Sequence, residues 1–224
     1  MNIALIGYGK MGKAIEEIAL EKGHTISLKI TSKNSADFTT GNLVGTDVAI
    51  EFTNPESAVE NLYTCFKANV PVVCGSTGWL SQINEVEEIC TSHNAALVYA
   101  SNFSVGVNIF FELNKKLSHL MAGKNEYKTS IDEIHHVHKV DKPSGTAITL
   151  AKDIISDSRY RDWELDSHSK DKISISSIRE NEVNGVHKVS YSSENDIISI
   201  KHEALNRKGF ALGAVISAEW LVNK

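Results

Sequence analysis

The sequence has few features of a secreted, membrane or nucleic-acid-binding protein. It contains only three cysteines among 224 residues, and Cys65, Cys74 and Cys90 are widely spaced in apolar surroundings without a CxxC pair. Such cysteines disfavour a disulfide framework and predict reduced thiols in the core of a cytoplasmic protein. The formal net charge is -5, and no basic run is interleaved with aromatic residues. A nucleic-acid partner is therefore not expected.

Long hydrophobic runs are also missing. The apolar start of the chain, MNIALIG, is too short for the hydrophobic region of a signal peptide. No later stretch reaches the roughly 18 apolar residues of a membrane-spanning helix, so no membrane partner is expected. The sequence also lacks internal repeats and low-complexity segments. With 42% hydrophobic and 23% charged residues, it predicts an unprocessed soluble protein with one large domain or two small ones.

Residues 1–104 alternate between short apolar runs and amphipathic segments. The runs NIALI, DVAIEF, VPVVCG and AALVYA are typical of buried strands. Between them, apolar residues recur on single helical faces, as Val59, Leu62 and Phe66 do. This alternation predicts a parallel sheet covered by helices, which is the α/β class.

The pattern changes after residue 104. A helical stretch from Val105 to Met121 precedes the strand KTSIDEIHH, the loop HKVDKPSG and a helix from about Thr146 to Ser156. Residues 172–202 then contain three β-like runs, which predict an α+β domain with a mixed, mostly antiparallel sheet. Residues 207–222 are apolar-rich and are expected to return to the first domain as a helix. The predicted domains are therefore 1–104 with 207–224, and 105–206.

A glycine-rich loop follows the first predicted strand. Gly7, Gly9 and Gly12 form a G-x-G-x-x-G pattern that opens a helix, the context in which this pattern indicates a dinucleotide site. Glycines permit a tight turn and a close backbone approach, while the helix N-terminus presents N–H groups to a pyrophosphate. Lys10 and Met11 lie at that helix start. A tight turn without a ligand is the alternative interpretation.

The end of the second predicted strand favours NADPH over NADH. A site for NAD usually has an Asp or Glu here, which binds the ribose hydroxyls. After Ile30 the sequence reads Thr31, Ser32 and Lys33 instead, so that a 2′-phosphate would meet a hydroxyl and a cation. Use of both nucleotides is left open, and a solvated loop lysine is the alternative for Lys33.

The segment from Glu133 to Ala147 combines three histidines, two lysines and a Ser-Gly-Thr helix start. Hydroxyls and backbone N–H groups at a helix N-terminus suit a carboxylate, and Lys139 adds positive charge. A histidine nearby can supply a proton near neutral pH. The segment therefore predicts catalysis on an anionic substrate.

Two other interpretations of this segment stand beside catalysis. His136 and His138 share one face of an extended strand and so suit a metal ion, but a third ligand at typical spacing is missing. We therefore expect no metal. The other interpretation is a solvated charged loop without a function.

The segment EIHHVHKVDKPSGTA (residues 133–147) resembles the signature of the dihydrodipicolinate reductase family. GYGKMG, EFTNPES, CGSTGW and ASNFSVGVN resemble segments of the same family in the same order, so the resemblance covers nearly the whole chain. It implies a Rossmann-like dinucleotide-binding domain and a second domain that binds substrate and forms a homotetramer. The phosphate loop is one residue shorter than the form common in that family.

The resemblance also implies a reaction. Hydride from NADPH or NADH adds to a cyclic imine dicarboxylate, formed when 4-hydroxy-tetrahydrodipicolinate loses water, and yields tetrahydrodipicolinate for diaminopimelate and lysine biosynthesis. By motif position, His135 is implied as the general acid and Lys139 as its catalytic partner. The implied contacts to the substrate carboxylates are His136, Lys139, Ser144, Gly145 and Thr146.

The implied cofactor contacts lie in residues 1–104 and at position 207. They are Gly7, Gly9, Lys10, Met11, Gly12, Ser32, Lys33, Phe52, Thr53, Gly75, Thr77, Ser101, Asn102, Phe103 and Arg207.

Two other functions are weighed against the reductase. One is an amino-acid dehydrogenase that acts on aspartate or diaminopimelate, and the other is a non-catalytic module that senses a nucleotide. The segment at residues 133–147 argues against both.

Overall fold

Two five-stranded sheets organise the chain, one in each of two units. The computed structural model describes residues 1–167, 169–222 and 224. The first unit comprises Met1–Ser104 with Arg207–Lys224, and the second comprises Val105–Asn206. In chain order the elements are β1 (Asn2–Ile6), α1 (Lys10–Glu21), β2 (Thr25–Ile30), β3 (Val48–Glu51), α2 (Pro55–Lys67), β4 (Val72–Cys74), α3 (Ile83–Ser92), β5 (Leu97–Tyr99), α4 (Val105–Met121), β6 (Lys128–His135), α5 (Gly145–Ser156), β7 (Asp162–Leu165), β8 (Lys172–Arg179), β9 (Val186–Ser192), β10 (Ile197–Glu203) and α6 (Lys208–Val222).

The sheet of the first unit is parallel throughout, with the strand order β2-β1-β3-β4-β5. Both of its faces are covered, because α2 and α3 pack on one side and α1 and α6 on the other. Two-sided burial explains why β1 and β3 read as continuous apolar runs. The predicted α/β class with a Rossmann-like parallel sheet is confirmed.

Local sequence fixes how two of these helices begin and pack. The Asn54 side chain accepts a hydrogen bond from the Ser57 N–H (3.0 Å), and Pro55 occupies the first position of α2. A Cβ atom on Gly213 would lie 1.6 Å from the Phe103 carbonyl oxygen. Only glycine therefore lets α6 pack this closely on the backbone that follows β5.

The strand order places a crevice at the carboxyl edge of the first sheet. From β1 the chain moves to β2 on one side and then returns to β3 on the other. Ligands of open α/β sheets bind where the order reverses in this way. The loops after β1 and after β3 therefore meet at one place.

The sheet of the second unit is mixed, with the order β10-β9-β6-β8-β7. A mixed sheet was predicted, but antiparallel pairing does not predominate. The β10–β9 and β9–β6 pairs are antiparallel, whereas β6–β8 and β8–β7 are parallel. The reason is that β6 lies between β9 and β8, and the chain returns through α5 to run parallel to it.

Strand β7 was not predicted. Its sequence, DWEL, is only four residues long and is flanked by polar residues, so it has no periodicity of its own to detect. Trp163 and Leu165 pack against the core that α4 and α5 form on the sheet. Tertiary packing therefore decides this strand.

A row of polar side chains crosses the helix-covered face of this second sheet. Glu133 on β6 is directly opposite Ser177 on β8 and His187 on β9, and His187 is opposite His202 on β10. Residues in register share one face. Below them the same face is apolar, with Ile131, Ile175 and Val189 buried.

Candidate active site

Two adjoining cavities lie at the crevice of the first unit, and both include Gly9, Thr53 and Asn54. One has a volume of about 470 Å³ and the other about 550 Å³. The first is lined by Gly9, Lys10, Met11, Phe52, Thr53, Asn54, Pro55, Gly75, Ser76, Thr77 and Arg207. The second reaches the end of β2 and is lined by Ile6, Gly7, Tyr8, Gly9, Ile30, Thr31, Ser32, Ser35, Thr53, Asn54, Ser57 and Asn61.

The three loop glycines have different physical roles. A Cβ atom on Gly7 would lie 2.1 Å from the Phe52 carbonyl oxygen, and one on Gly12 would lie 2.4 Å from the Gly7 oxygen. Close contact with the backbone therefore excludes any side chain at both positions. A Cβ atom on Gly9 would meet nothing within 4 Å, so the start of α1 opens onto free space.

The start of α1 suits a pyrophosphate group. The first bond of the helix runs from the Lys13 N–H to the Gly9 oxygen (3.1 Å), so the N–H groups of residues 10–12 precede it. Arg207 adds a cation to the same cavity. Backbone donors, a positive helix end and a guanidinium fit the phosphates of a dinucleotide.

The end of β2 is a polar turn closed by hydrogen bonds of the Asn34 side chain. The Asn34 side-chain oxygen accepts hydrogen bonds from the Thr31 N–H and hydroxyl (2.7 Å each), and its amide donates to the Lys29 carbonyl (3.0 Å). Of the two residues predicted to meet a 2′-phosphate, only Ser32 lines the cavity. Lys33 is exposed beside it.

A buried carboxylate that the sequence analysis missed supports the wall of the first cavity. Glu51, at the end of β3, is 0% exposed. It accepts hydrogen bonds from the Thr53 N–H (3.1 Å), the Thr53 hydroxyl, Asn61 (3.3 Å) and the Cys74 thiol (3.2 Å). Burial, and then this carboxylate, raise the pKa of Cys74. An acid at the end of the apolar run DVAIEF was the available signal.

Some of the remaining predicted cofactor residues line the first cavity, and others pack behind its lining. The Phe52 ring lies against Gly75, where a Cβ atom would be 2.2 Å from the ring. Phe103 is buried behind it, with the two ring centroids 6.0 Å apart. Neither cavity is lined by Ser101, Asn102 or Phe103.

In the second unit, Glu133 is the centre of a buried hydrogen-bond network. Its carboxylate is 0% exposed and accepts bonds from the Ser144 N–H (3.0 Å), the Ser177 hydroxyl and Arg179 (3.3 Å). His187 Nε2 lies 3.5 Å away. Burial alone would raise the pKa of Glu133, but the bonds from His187, Ser144 and Ser177 hold it well below its ordinary value.

His135 ends β6 beside this network and is buried. Its Nδ1 lies 3.5 Å from Glu133, and its ring packs edge-on against His187 with the centroids 4.9 Å apart. Burial, and then the neighbouring His187, lower the pKa of His135 to about 4. The imidazole is therefore neutral at pH 7.

The loop after β6 carries the predicted cation. The Lys139 ammonium forms an ion pair with Asp141 (2.8 Å). Its positive charge also contributes to the lowered pKa of His135. The rings of His136 and His138 lie 6.1 Å apart, and His138 is exposed beside Glu182.

Ser144 begins α5 as its N-cap. Its hydroxyl accepts a bond from the Ala147 N–H (3.2 Å) and lies 3.1 Å from His187 Nε2. The side chain is thus buried and engaged, whereas Gly145 is exposed and a Cβ atom there would meet nothing within 4 Å. Contact of these two residues and Thr146 with substrate stays a prediction.

Glu133, His135 and His187 are also close enough to hold a metal ion, since their ligand atoms lie within 4.8 Å of one another. We interpret them as a hydrogen-bond network instead. The Arg179 guanidinium lies 3.3 Å from Oε1 of the carboxylate, which also accepts the Ser177 hydroxyl bond, whereas both histidines face Oε2. The guanidinium already compensates the charge of this buried carboxylate, which disfavours a second cation beside it.

Comparison with known proteins agrees with this geometry. Residues 1–103 match the family model described as dihydrodipicolinate reductase, N-terminus, and residues 106–224 match dihydrodipicolinate reductase, C-terminus. The chain belongs to the dihydrodipicolinate reductase family. The predicted family is thereby confirmed, and with it the enzyme class, an oxidoreductase.

Individual relatives support the assignment to this family. A 4-hydroxy-tetrahydrodipicolinate reductase from Christiangramia forsetii is 49% identical over 100% of this chain and 93% of its own length. One from Rickettsia rickettsii is 35% identical over 100% and 94%. A dipicolinate-bound dihydrodipicolinate reductase structure from Paenisporosarcina sp. TG-14 has a TM-score of 0.76 at 22% identity, covering 100% of this chain and 95% of the other. That last likeness shows the fold.

Membership of the reductase family confirms part of the cofactor prediction. The N-terminal part of the family is its nucleotide-binding domain, and the family uses NAD(P)H. For the membrane prediction, the described part of the chain contains no helix long and apolar enough to cross a membrane.

The buried histidines of this reductase predict a pH-dependent stability. Below pH 6.5 the unfolded chain binds a proton on His135, whereas the folded chain does not until about pH 4. The unfolded state therefore holds more protons in this window, and the free energy of unfolding falls as the pH falls. We expect a loss of about 1 kcal/mol from this residue between pH 7 and pH 5.5. Burial, and then His187, lower the pKa of His202 as well, so this residue also makes the free energy of unfolding fall as the pH falls.

Urea denaturation at the two pH values measures this effect in the wild type, His135→Gln and the control His138→Gln. The first variant should lose less stability on acidification than the wild type, and the exposed control should behave as the wild type does. An identical pH dependence in all three proteins would show that His135 titrates normally.

Proposed function

We propose that this chain reduces 4-hydroxy-tetrahydrodipicolinate to tetrahydrodipicolinate with loss of water, in diaminopimelate and lysine biosynthesis. The observation that carries the proposal is the start of α5. There a buried histidine, an ion-paired lysine and a capped helix N-terminus follow one another in residues 135–146. Basic groups and backbone donors of this kind suit a dianionic substrate.

The first unit is proposed to bind the dinucleotide and the second the substrate. When bound, the reduced nicotinamide supplies the hydride. The N–H groups at the start of α1 would donate hydrogen bonds to the pyrophosphate, and the Arg207 guanidinium would compensate its negative charge. Phe52 and Thr53, with Gly75 and Thr77, form the wall of the same cavity.

In the second unit, His135 is proposed to supply the proton. Hydride addition leaves electron density on the substrate ring, and a positioned acid must protonate it. The lowered pKa of His135 leaves its imidazole neutral in the free protein. A dianionic substrate beside it favours the protonated form and so raises the pKa of His135. Lys139 provides the second positive charge for the same step.

The substrate carboxylates are proposed to contact the groups around this acid. Lys139 contributes an ammonium, His136 an imidazole, and Gly145 and Thr146 the N-terminal end of α5. Ser144 contributes as the cap that orders this helix start.

Nicotinamide absorbance tests the proposed reaction. Purified protein is mixed with NADPH or NADH and with the condensation product of pyruvate and aspartate semialdehyde, which the preceding synthase generates in situ. Absorbance should fall only when both substrate and protein are present. A flat trace from folded, NADPH-binding protein would reject the proposed substrate. Reduction of NADP⁺ or NAD⁺ by aspartate or diaminopimelate would favour the amino-acid dehydrogenase.

NADPH is proposed as the preferred nucleotide, because the turn after β2 carries Ser32 and Lys33 and no acid. Ser32→Asp places a carboxylate at the cavity wall, where it repels a 2′-phosphate and accepts bonds from ribose hydroxyls. We expect the ratio of kcat/KM for NADPH to that for NADH to fall by about tenfold or more.

The matched control for this variant is Ser81→Asp, which adds the same charge at an exposed position of the same unit that lines neither cavity. Its nucleotide ratio should equal that of the wild type. Equal ratios in Ser32→Asp and the wild type would refute the proposed role of this turn.

Assembly as a homotetramer through the second sheet is also proposed. The face of that sheet opposite α4 and α5 exposes Ile178 and Ile197. Exposed apolar residues on a sheet face favour association. Light scattering gives the mass that decides this point.

A further inference from the structure

The loop between β6 and α5, residues 136–144, depends on two side chains outside it. This inference rests on the proposed function, because it concerns how Lys139 and the start of α5 are held for the reaction. Glu133 precedes the loop on β6, and Arg179 lies at the end of β8, the neighbouring strand. Glu133 is 0% exposed, and the Arg179 side chain is 16% exposed.

Glu133 fixes the far end of the loop. Both of its oxygens accept from the Ser144 N–H, at 3.0 and 3.2 Å. This N–H belongs to the N-cap of α5, so the carboxylate sets the place from which the helix starts. The Ser177 hydroxyl and Arg179 bind the same carboxylate, so it is anchored from β8.

Arg179 fixes the middle of the loop. Its Nε donates to the Lys139 carbonyl (3.2 Å), and its Nη2 donates to the Asp141 carbonyl (2.5 Å). The same guanidinium lies 3.3 Å from Glu133. One planar group therefore joins the main chain of the predicted catalytic lysine to the buried carboxylate.

We infer that the Glu133–Arg179 pair is a positioning element that holds the Lys139 main chain and the start of α5 in one fixed arrangement. The inference follows from geometry. A rigid fork of donors satisfies two loop carbonyls and a carboxylate together, which a flexible ammonium cannot do. Groups that bind a reacting substrate act best when such supporting bonds preorganise them.

Arg179→Lys tests the inference, since it keeps the charge and loses the fork. We expect kcat/KM for the substrate to fall by about tenfold to a hundredfold, with both a lower kcat and a higher KM. The Kd for NADPH should stay unchanged, because the dinucleotide cavities lie in the first unit. For Arg179→Ala, millimolar guanidinium ion should restore part of the lost kcat.

The matched control is Arg159→Lys. Arg159 also donates to two main-chain carbonyls, those of Asn125 (2.5 Å) and Tyr127 (3.3 Å), but at a part of the second unit away from the loop. This variant should keep wild-type kcat and KM. Glu133→Gln keeps the shape of the side chain without its charge, and should resemble Arg179→Lys in kinetics.

Three kinetic and thermal outcomes would overturn the inference while the wild type remains active. They are wild-type kcat/KM in Arg179→Lys, an equal loss in Arg159→Lys, and loss of the cooperative thermal transition in Arg179→Lys, which would make the role structural. Stoichiometric zinc bound through Glu133 would also overturn it, because a metal would then organise these groups. An inactive wild type would instead refute the proposed function.

Discussion

We expect replacement of Lys139 by alanine to lower substrate-dependent NADPH oxidation by about a hundredfold to ten-thousandfold, the range that a positioned acid–base group supplies. The Lys139 ammonium lies in the loop after β6, and its positive charge contributes to the lowered pKa of His135. Its loss removes a cation that is proposed to bind the substrate carboxylate and to assist the proton transfer from His135. NADPH affinity should stay unchanged, because the proposed dinucleotide cavities lie in the first unit.

Steady-state kinetics and a urea denaturation curve measure both parts of this result. Lys139 is partly exposed and its ion pair with Asp141 is near the surface, so the free energy of unfolding should change little. Lys142→Ala is the control, since this lysine lies in the same loop and pairs with Asp166 at 3.7 Å. Wild-type turnover in folded Lys139→Ala would remove this lysine from the catalytic assignment.

We expect Gly9→Asp to weaken NADPH binding by about a hundredfold or more while the protein stays folded. Gly9 is the N-cap of α1, a position where Asp is favourable for the helix. A side chain there enters free space at the cavity rather than the packed interior. The new carboxylate competes for the helix start and repels the pyrophosphate, and like charges placed together cost several kcal/mol.

Fluorescence titration with NADPH and thermal unfolding separate the two effects. Gly41→Asp is the control, because Gly41 is exposed and a Cβ atom there makes only an ordinary contact at 3.8 Å. It should bind NADPH normally. Unchanged affinity in Gly9→Asp would mean that the dinucleotide does not use the start of α1.

The parallel sheet was predictable because its inner strands β1, β3 and β4 are buried on both faces. Such strands appear as continuous apolar runs, and the intervening helices show one apolar face each. The role of the loop glycines was predictable because the strand, the tight turn and the helix start of this motif are consecutive in the sequence. The bounds of α4 matched the prediction, from Val105 to Met121.

The balance of the second sheet was not predictable from local patterns. Strands β8, β9 and β10 are consecutive in the sequence and separated by short breaks, which predicted a mostly antiparallel sheet. β6 instead lies between β9 and β8. The position of a strand within a sheet depends on contacts between distant segments, and periodicity contains no record of them.

What the sequence determined by itself is the set of chemical groups: the glycine loop, the histidines and lysines of residues 133–147, and the turn after β2 without an acid. What the tertiary structure decided is which groups support them. Glu51 reaches Cys74 across 23 residues, and Arg179 reaches the loop at Lys139 and Asp141 across about 40. Hydrogen bonds of this kind join residues that are far apart in sequence, so only the folded chain shows that a buried carboxylate supports each site and that a guanidinium joins the second carboxylate to its loop.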